Sequence, residues 1–173
     1  EKKIKPVLEE AYSKKKIITP SGLARTMGGH ACEDSFLYWA YKNNIPVYSP
    51  GITDSALGMQ MYFFKQQHKD FGVDVTGDMD QLAQSMLTAD KTGAIVIGGG
   101  ISKHHTIGVN ILRDGLDYAV YITTASEWDG SLSGAKTQEA ISWGKIREEA
   151  NHITVYGEAT TIFPTMMRIY NQD

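Results

Sequence analysis

Cysteine is almost absent: Cys32 is the only one in 173 residues. One thiol cannot close an intrachain disulfide, and a reducing, cytoplasmic compartment is the expected setting. No apolar run has the length that a membrane-spanning helix needs. The chain opens with Glu1-Lys2-Lys3, which does not begin a secretory signal. Basic residues cluster only at Lys14-Lys15-Lys16, and the net charge is −3, so nucleic acid is not the expected partner. Metal-ligand spacing is missing too. His104 and His105 are adjacent, so on a helix their side chains diverge, and no shared metal is expected.

What remains is an ordinary globular composition, 42% hydrophobic and 21% charged, long enough for one domain over residues 1–173 with a sizeable core. Residues 2–14 read as an amphipathic helix with Ile4, Val7, Leu8 and Ala11 on one face and Pro6 in its first turn. Thr19-Pro20-Ser21 starts a second helix that Gly28-Gly29 ends. Asp34 or Ser35 starts a third, ended by Asn43-Asn44. Ile45–Ser49 reads as a strand, and Asp54 as the cap of the next helix, whose buried face is Leu57, Met61 and Phe64. Phe71–Val75 reads as another strand, and Asp78 caps a helix with Met79, Leu82, Met86 and Leu87 inward. Ala94–Ile97 is a continuous apolar run, the pattern of a strand covered on both faces. A helix over 102–113 stopped by Gly115, a strand over 118–123, a polar loop over 124–136, a helix around 138–143, a strand over 152–156 and a helix over 160–170 complete the chain.

Alternating strands and helices predict an α/β fold, doubly wound and Rossmann-like, with a mostly parallel sheet. Such sheets bind ligands beyond the carboxyl ends of their strands. Four segments at such ends carry candidate groups: Thr53-Asp54, Gly98 to His104, Thr123 to Asp129, and Gly157-Glu158-Ala159. Gly98-Gly99-Gly100 begins like a dinucleotide loop but has Lys103 where the third glycine would stand, so taken alone it reads somewhat better as a tight strand-to-helix turn. Glu127 and Asp129 flank Trp128, a combination that suits a linear polyamine: carboxylates for its ammonium ends and a ring for its methylenes. The same three residues also suit an exposed acidic loop.

Glu139-Ala140-Ile141-Ser142-Trp143-Gly144-Lys145-Ile146-Arg147 is the densest candidate. An apolar wall such as Trp143 favours a neutral lysine amine, which is the nucleophilic form, and Glu139 can hold a cation or move a proton. Taken alone, these residues are more often a surface lysine after an amphipathic helix with its tryptophan in the core.

The wider pattern resembles deoxyhypusine synthase. The blocks that carry the likeness are YWAYKNNIPVYSPGITD at 38–54, TGAIVIGGGISKHH at 92–105, DYAVYITTASEWDGSLSGA at 117–135 and EAISWGKI at 139–146, in the family's order. The resemblance implies that NAD accepts a hydride from spermidine and that 1,3-diaminopropane leaves. It implies that the aminobutyl group is held as an imine on Lys145 and passes to a lysine of the translation initiation factor 5A precursor. It makes Lys145 and His104 the catalytic pair and puts Glu139, Trp143, Gly130, Ser131, Leu132 and Tyr121 around the polyamine. Asp54, Gly99, Thr124, Ala125, Asp129, Glu158 and Ala159 become cofactor contacts. Met59 and Leu132 stand where the eukaryotic pattern has acids, and Glu158 where aspartate is usual. The first two suit an archaeal-type member, and they also leave open transfer to a small amine, as in homospermidine synthesis. A non-catalytic regulatory subunit is the third reading, against which the intact Lys145, His104 and Trp143 stand. Family members extend well upstream of Glu1. The expectation is therefore a carboxyl-terminal half in complex with a complementary amino-terminal chain, in a tetramer-like assembly.

Overall fold

A computed structural model describes residues 4–170, which divide into two compact units that meet in the chain between Gln81 and Leu82. The first unit opens with α1 (Ile4–Lys14), which buries Val7, Leu8 and Ala11. The part of the expected first helix at Lys2 and Lys3 lies outside the described residues. β1 (Ile17–Ile18) leads to α2 (Pro20–Gly29), where the Thr19 hydroxyl accepts the Gly22 N–H at 3.1 Å and Pro20 opens the first turn. Proline is tolerated there because the first-turn amides have no intrahelical acceptor. α3 (Phe36–Lys42) is capped by Ser35, and α4 (Ala56–Gln67) by Ser55, whose hydroxyl accepts the Gly58 N–H at 3.0 Å. β2 (Gly72–Val73) pairs in parallel with β1. The core of this unit gathers Val7, Leu8, Leu23, Ile52, Met61, Phe64 and Phe71.

Three expectations for this unit are corrected. Ile45–Ser49 forms no strand. The Ile45 N–H donates to Ala40 O at 2.8 Å and closes α3, Asn44 takes a left-handed conformation at φ 55°, and Pro46 has no amide to offer a ladder. Asp54 does not cap α4; Ser55 does. Asp78 does not start the following helix, α5 (Gly77–Thr88): the Asp74 carboxylate takes the Thr76 and Gly77 amides, while buried Asp78 accepts the Ser21 N–H at 2.9 Å in the first turn of α2. Along α5, Leu82 is buried and Met86 half-buried, but Met79 and Leu87 are exposed.

In the second unit, β3 (Gly93–Ile97), β4 (Leu116–Thr123) and β5 (Ile146–Tyr156) form a parallel sheet in the order β3-β4-β5, in the register Ile95–Val120–Ile153. α6 (Ile101–Val109) follows β3 and runs into a 3-10 turn at Asn110–Arg113; α7 (Thr137–Ser142) precedes β5, and α8 (Ala159–Tyr170) follows it. Val96, Ile107, Leu116, Ala119, Tyr121, Ala140 and Ile146 make the core. The sheet is covered on one face of β3 only: Val96 is buried, but Ile95 and Ile97 are 51% and 50% exposed, against the expectation of cover on both faces.

The amino-terminal edge of this sheet is tied by charge. The Arg113 guanidinium donates to Ala89 O, Asp90 O and the Thr92 hydroxyl, and pairs with Asp117 at 2.7 Å; Arg147 reaches the other Asp117 oxygen at 3.2 Å. The Thr92 N–H and Arg113 hold the Asp117 carboxyl below the usual carboxylate range.

Candidate active site

The carboxyl-terminal edge of the β3-β4-β5 sheet is built from turns. Gly98 and Gly100 take positive φ (77° and 78°), which a side chain would disfavour, and so bend the chain from β3 into α6. Gly99 permits a close approach instead: a Cβ there would come within 2.4 Å of the Ser133 Cα. Thr124 and Ala125 leave the end of β4, and Glu158 and Ala159 leave the end of β5. The Glu158 carboxylate accepts the Thr160 N–H at 2.9 Å in the first turn of α8. Thus Gly99, Thr124, Ala125, Glu158 and Ala159 share one sheet edge, as the strand-end argument requires. Asp54 belongs to the first unit, exposed in the turn before α4.

The loop after β4 folds back over this edge. A 3-10 turn at Glu127–Asp129 is closed by Ser126, and the Asp129 carboxylate accepts the Ser126 N–H at 2.8 Å. Glu127 pairs with Lys136 at 2.7 Å, and Trp128 projects outward, 88% exposed. The acids of this loop are therefore engaged locally. Beyond it lies an open cleft of about 500 Å³ lined by Glu127, Gly130, Ser131, Leu132, Ala135, Lys136, Gln138, Glu139 and Trp143. Five of the six residues expected around a polyamine meet there: Gly130, Ser131, Leu132, Glu139 and Trp143. The sixth, Tyr121, is buried in the sheet behind them, and its hydroxyl has no partner; burial pushes that phenol up to about 12.

Lys145 adjoins the Trp143 end of the cleft. Its Nζ lies 4.4 Å from the centre of the Trp143 ring, and the residue is 7% exposed. The backbone is held on both sides: the Lys145 N–H donates to Ala140 O at 2.9 Å, and its carbonyl accepts from Leu116 at 3.0 Å. This places Lys145 at the amino-terminal start of β5, beside the start of β4, and away from the edge that carries Gly99 and Glu158. β4 is eight residues long, so the two ends are separated by roughly 25 Å of strand. His104 sits exposed on α6 and does not line the cleft, while His105 is half-buried.

A second cleft, of about 580 Å³, lies in the first unit among Lys14, Lys15, Arg25, His30 and Tyr41. Its side chains are largely engaged: Lys14 and His30 with Glu10, and Arg25 with Asn44. Among the described residues no group of three or more His, Cys, Asp or Glu is placed to hold a metal, and no helix is long and apolar enough to cross a membrane.

The sequence profile of the deoxyhypusine synthase family matches residues 1–169. The chain belongs to the deoxyhypusine synthase family. It is 52% identical over 168 residues to a probable deoxyhypusine synthase of Thermoplasma acidophilum, covering 96% of this chain and 54% of that protein. It is 46% identical over 164 residues to the deoxyhypusine synthase of Senecio vernalis, covering 93% and 44%. The crystal structure of a putative deoxyhypusine synthase from Entamoeba histolytica superposes with a TM-score of 0.69 at 28% identity, over 94% of this chain and 50% of that one. The chain thus spans about half the length of the relatives it matches, and its α/β fold with parallel strands is that of the family.

Two further residues shape this edge; both fell inside the candidate segments 98–104 and 123–129 but were given no role of their own. Thr123, buried at the end of β4, donates to Ser133 O at 3.0 Å and accepts the Ala125 N–H at 3.1 Å. Lys103, 2% exposed on α6, reaches the same loop from below. The sequence marked Lys103 by its place where a dinucleotide loop carries glycine and by its segment 98–104, without assigning it a role. Nothing in the sequence marked Thr123 apart from the strand end it occupies.

Proposed function

We propose that this chain supplies the lysine-bearing half of a deoxyhypusine synthase. The reaction is transfer of the aminobutyl group of spermidine, through an imine on Lys145, to a lysine of the translation initiation factor 5A precursor. The observation that carries this reading is the arrangement of Lys145 at the face of Trp143, which together with Glu139 lines an open cleft of about 500 Å³. In this reading the neutral Lys145 amine attacks the carbon of the protonated imine of the oxidised substrate. A carbon–nitrogen bond forms to Nζ, the bond to 1,3-diaminopropane breaks, and that amine leaves with the proton Nζ gives up. Glu139 holds an ammonium end or takes the proton, and the indole of Trp143 packs against methylenes while tolerating a cation at its face. The factor's lysine then displaces Lys145 from the same carbon. His104, on the resemblance alone, serves as a proton relay.

The edge formed by Gly98–Gly100, Thr124 and Glu158 suits NAD. Backbone without side chains faces open space at Gly98 and Gly100, and α6 begins at Gly100 with no side chain on its first-turn amides, which leaves them for a phosphate. When bound, NAD would take up a hydride from the amine and return it at the end, so the transfer is redox-neutral. The separation of this edge from Lys145 favours an assembly in which neighbouring copies complete each other's sites. The exposed apolar face of β3 favours burial by the family's other half. We read the two units as portions of one α/β domain that this other half completes.

Leu132 in the cleft, where the eukaryotic pattern of the resemblance has an acid, keeps a second reading in view: transfer to a small amine such as putrescine. Borohydride trapping tests the first step. The assembled enzyme is treated with NAD and spermidine, reduced, and mapped by peptide mass. An aminobutyl adduct on Lys145 that requires both compounds is expected. Its absence would overturn the catalytic reading, as would unchanged turnover in Lys145→Ala, which favours a regulatory subunit. Label found only in free polyamine rather than in the factor would favour the small-amine acceptor.

A further inference from the structure

Lys103 is an unusual residue to find in a protein interior. Burying an ammonium away from water costs several kcal/mol unless its donors are satisfied. Here Nζ donates to Leu132 O at 2.9 Å and Ala135 O at 2.7 Å, and it stands 4.2 Å from the centre of the Tyr121 ring. No carboxylate touches it. Burial lowers its pKa, and the charge of Glu139 works in the opposite direction. Its three contacts are two carbonyls of one loop and the face of a ring on β4, and each favours the cation over the neutral amine. The loop those carbonyls belong to is the one that brings Leu132 and Ala135 to the cleft. Its other attachments are the Thr123–Ser133 bond and the contact of Ser133 with Gly99.

We propose that Lys103 is the positioning residue of the amine cleft: a buried internal cation that clamps the carbonyls of Leu132 and Ala135 and so fixes the wall against which the substrate amine lies. The proposal rests on the transferase reading only for the identity of the ligand. It has two consequences. The Leu132 and Ala135 carbonyls, which would otherwise attract an incoming ammonium, are already taken. The substrate's ammonium is left to Glu139, which lines the same cleft. Lys103 thereby acts on how tightly and in which direction the polyamine lies, and not on the chemical step at Lys145.

The test uses Lys103→Met, which keeps much of the volume and removes the donors, and Lys103→Arg, which keeps a donor cation. Both are made in the full enzyme with this half in place. Amide exchange by mass spectrometry is expected to rise about tenfold or more at residues 131–135 in Lys103→Met, the size of effect that loss of a hydrogen bond to a charged group gives. Exchange in β4 and β5 stays at the wild-type rate. The KM for spermidine rises about tenfold, while kcat and Lys145 trapping at saturating spermidine change by less than about threefold. Lys103→Arg recovers part of both effects. Should Lys103→Met lose protection in β4 and β5 as well, Lys103→Gln is read in its place by the same two measurements. Unchanged exchange at 131–135 would overturn the proposal, and so would a loosened loop with an unchanged KM. A wild-type enzyme that turned over no spermidine would strike the transferase reading alone, because the exchange comparison still decides whether Lys103 holds the loop.

Discussion

At the scale of single residues, two positions give sharp expectations. Gly99 meets the Ser133 Cα at a distance no Cβ can tolerate. Gly99→Ala must therefore push the 130–135 loop outward. That overpacking is expected to cost roughly 1–3 kcal/mol, read as a lower midpoint in urea. Cofactor affinity should fall with it, because the same displacement opens the edge beside α6. Asp117 gives the second expectation. Its folded carboxyl is held low, first by the Thr92 N–H and then by Arg113, so its contribution is complete above the ordinary carboxylate range. That contribution is lost as the pH falls through the depressed value. Stability should decline on acidification below about pH 5, given an unfolded aspartate near 4. Asp117→Asn should be less stable at neutral pH and should show a shallower acid limb in thermal melts followed from pH 7 to 3. A parallel acid limb in both proteins would remove Asp117 from the account.

At the scale of elements, local chemistry explains what could be read from the sequence. α2 and α3 were legible because Thr19 and Ser35 sit where a hydroxyl can take a first-turn amide, and because apolar spacing marked the buried side of α1 and α4. Capping by Asp54 and Asp78 misled, since a neighbouring serine or an aspartate four residues earlier served the amides better. The Ile45–Ser49 strand misled because apolar composition says nothing about whether a partner strand exists. Lys103 was illegible for a similar reason: its burial depends on carbonyls 29 and 32 residues further along the chain. β3 shows the same limit. Its run of apolar residues signalled cover on both faces, yet Ile95 and Ile97 are open, and Tyr118 on β4 and Ile153 on β5 lie open beside them. An apolar patch of this kind marks an interaction surface. The isolated 173-residue chain is expected to bind a hydrophobic dye and to self-associate. Ile95→Lys with Ile153→Lys should reduce dye binding by more than half and should block recovery of the assembled enzyme. Dye binding equal to that of the unaltered chain would mean that this face is not the sticky one.

At the scale of the whole molecule, the separation along β4 becomes a statement about assembly. Gly99, Thr124 and Glu158 lie at one end of the parallel sheet, and Lys145 lies at the start of β5 at the other. On the proposed reading, this places the backbone of Lys145 and the cofactor edge at opposite ends of the sheet, which favours a site completed between copies. Closed symmetric assemblies solve this by presenting one copy's edge to another's lysine, twice over in an isologous pair. The expectation follows from counting. Lys145→Ala alone and Gly99→Val alone are each inactive. In a mixed assembly of equal parts, half of the pairs contain one copy of each, and one of the two sites in such a pair is unaltered. Recovered turnover should then reach about a quarter of the wild-type rate. It should appear only when the two variants are co-expressed or unfolded and refolded together. A mixture that stays inactive would place lysine and cofactor within one copy.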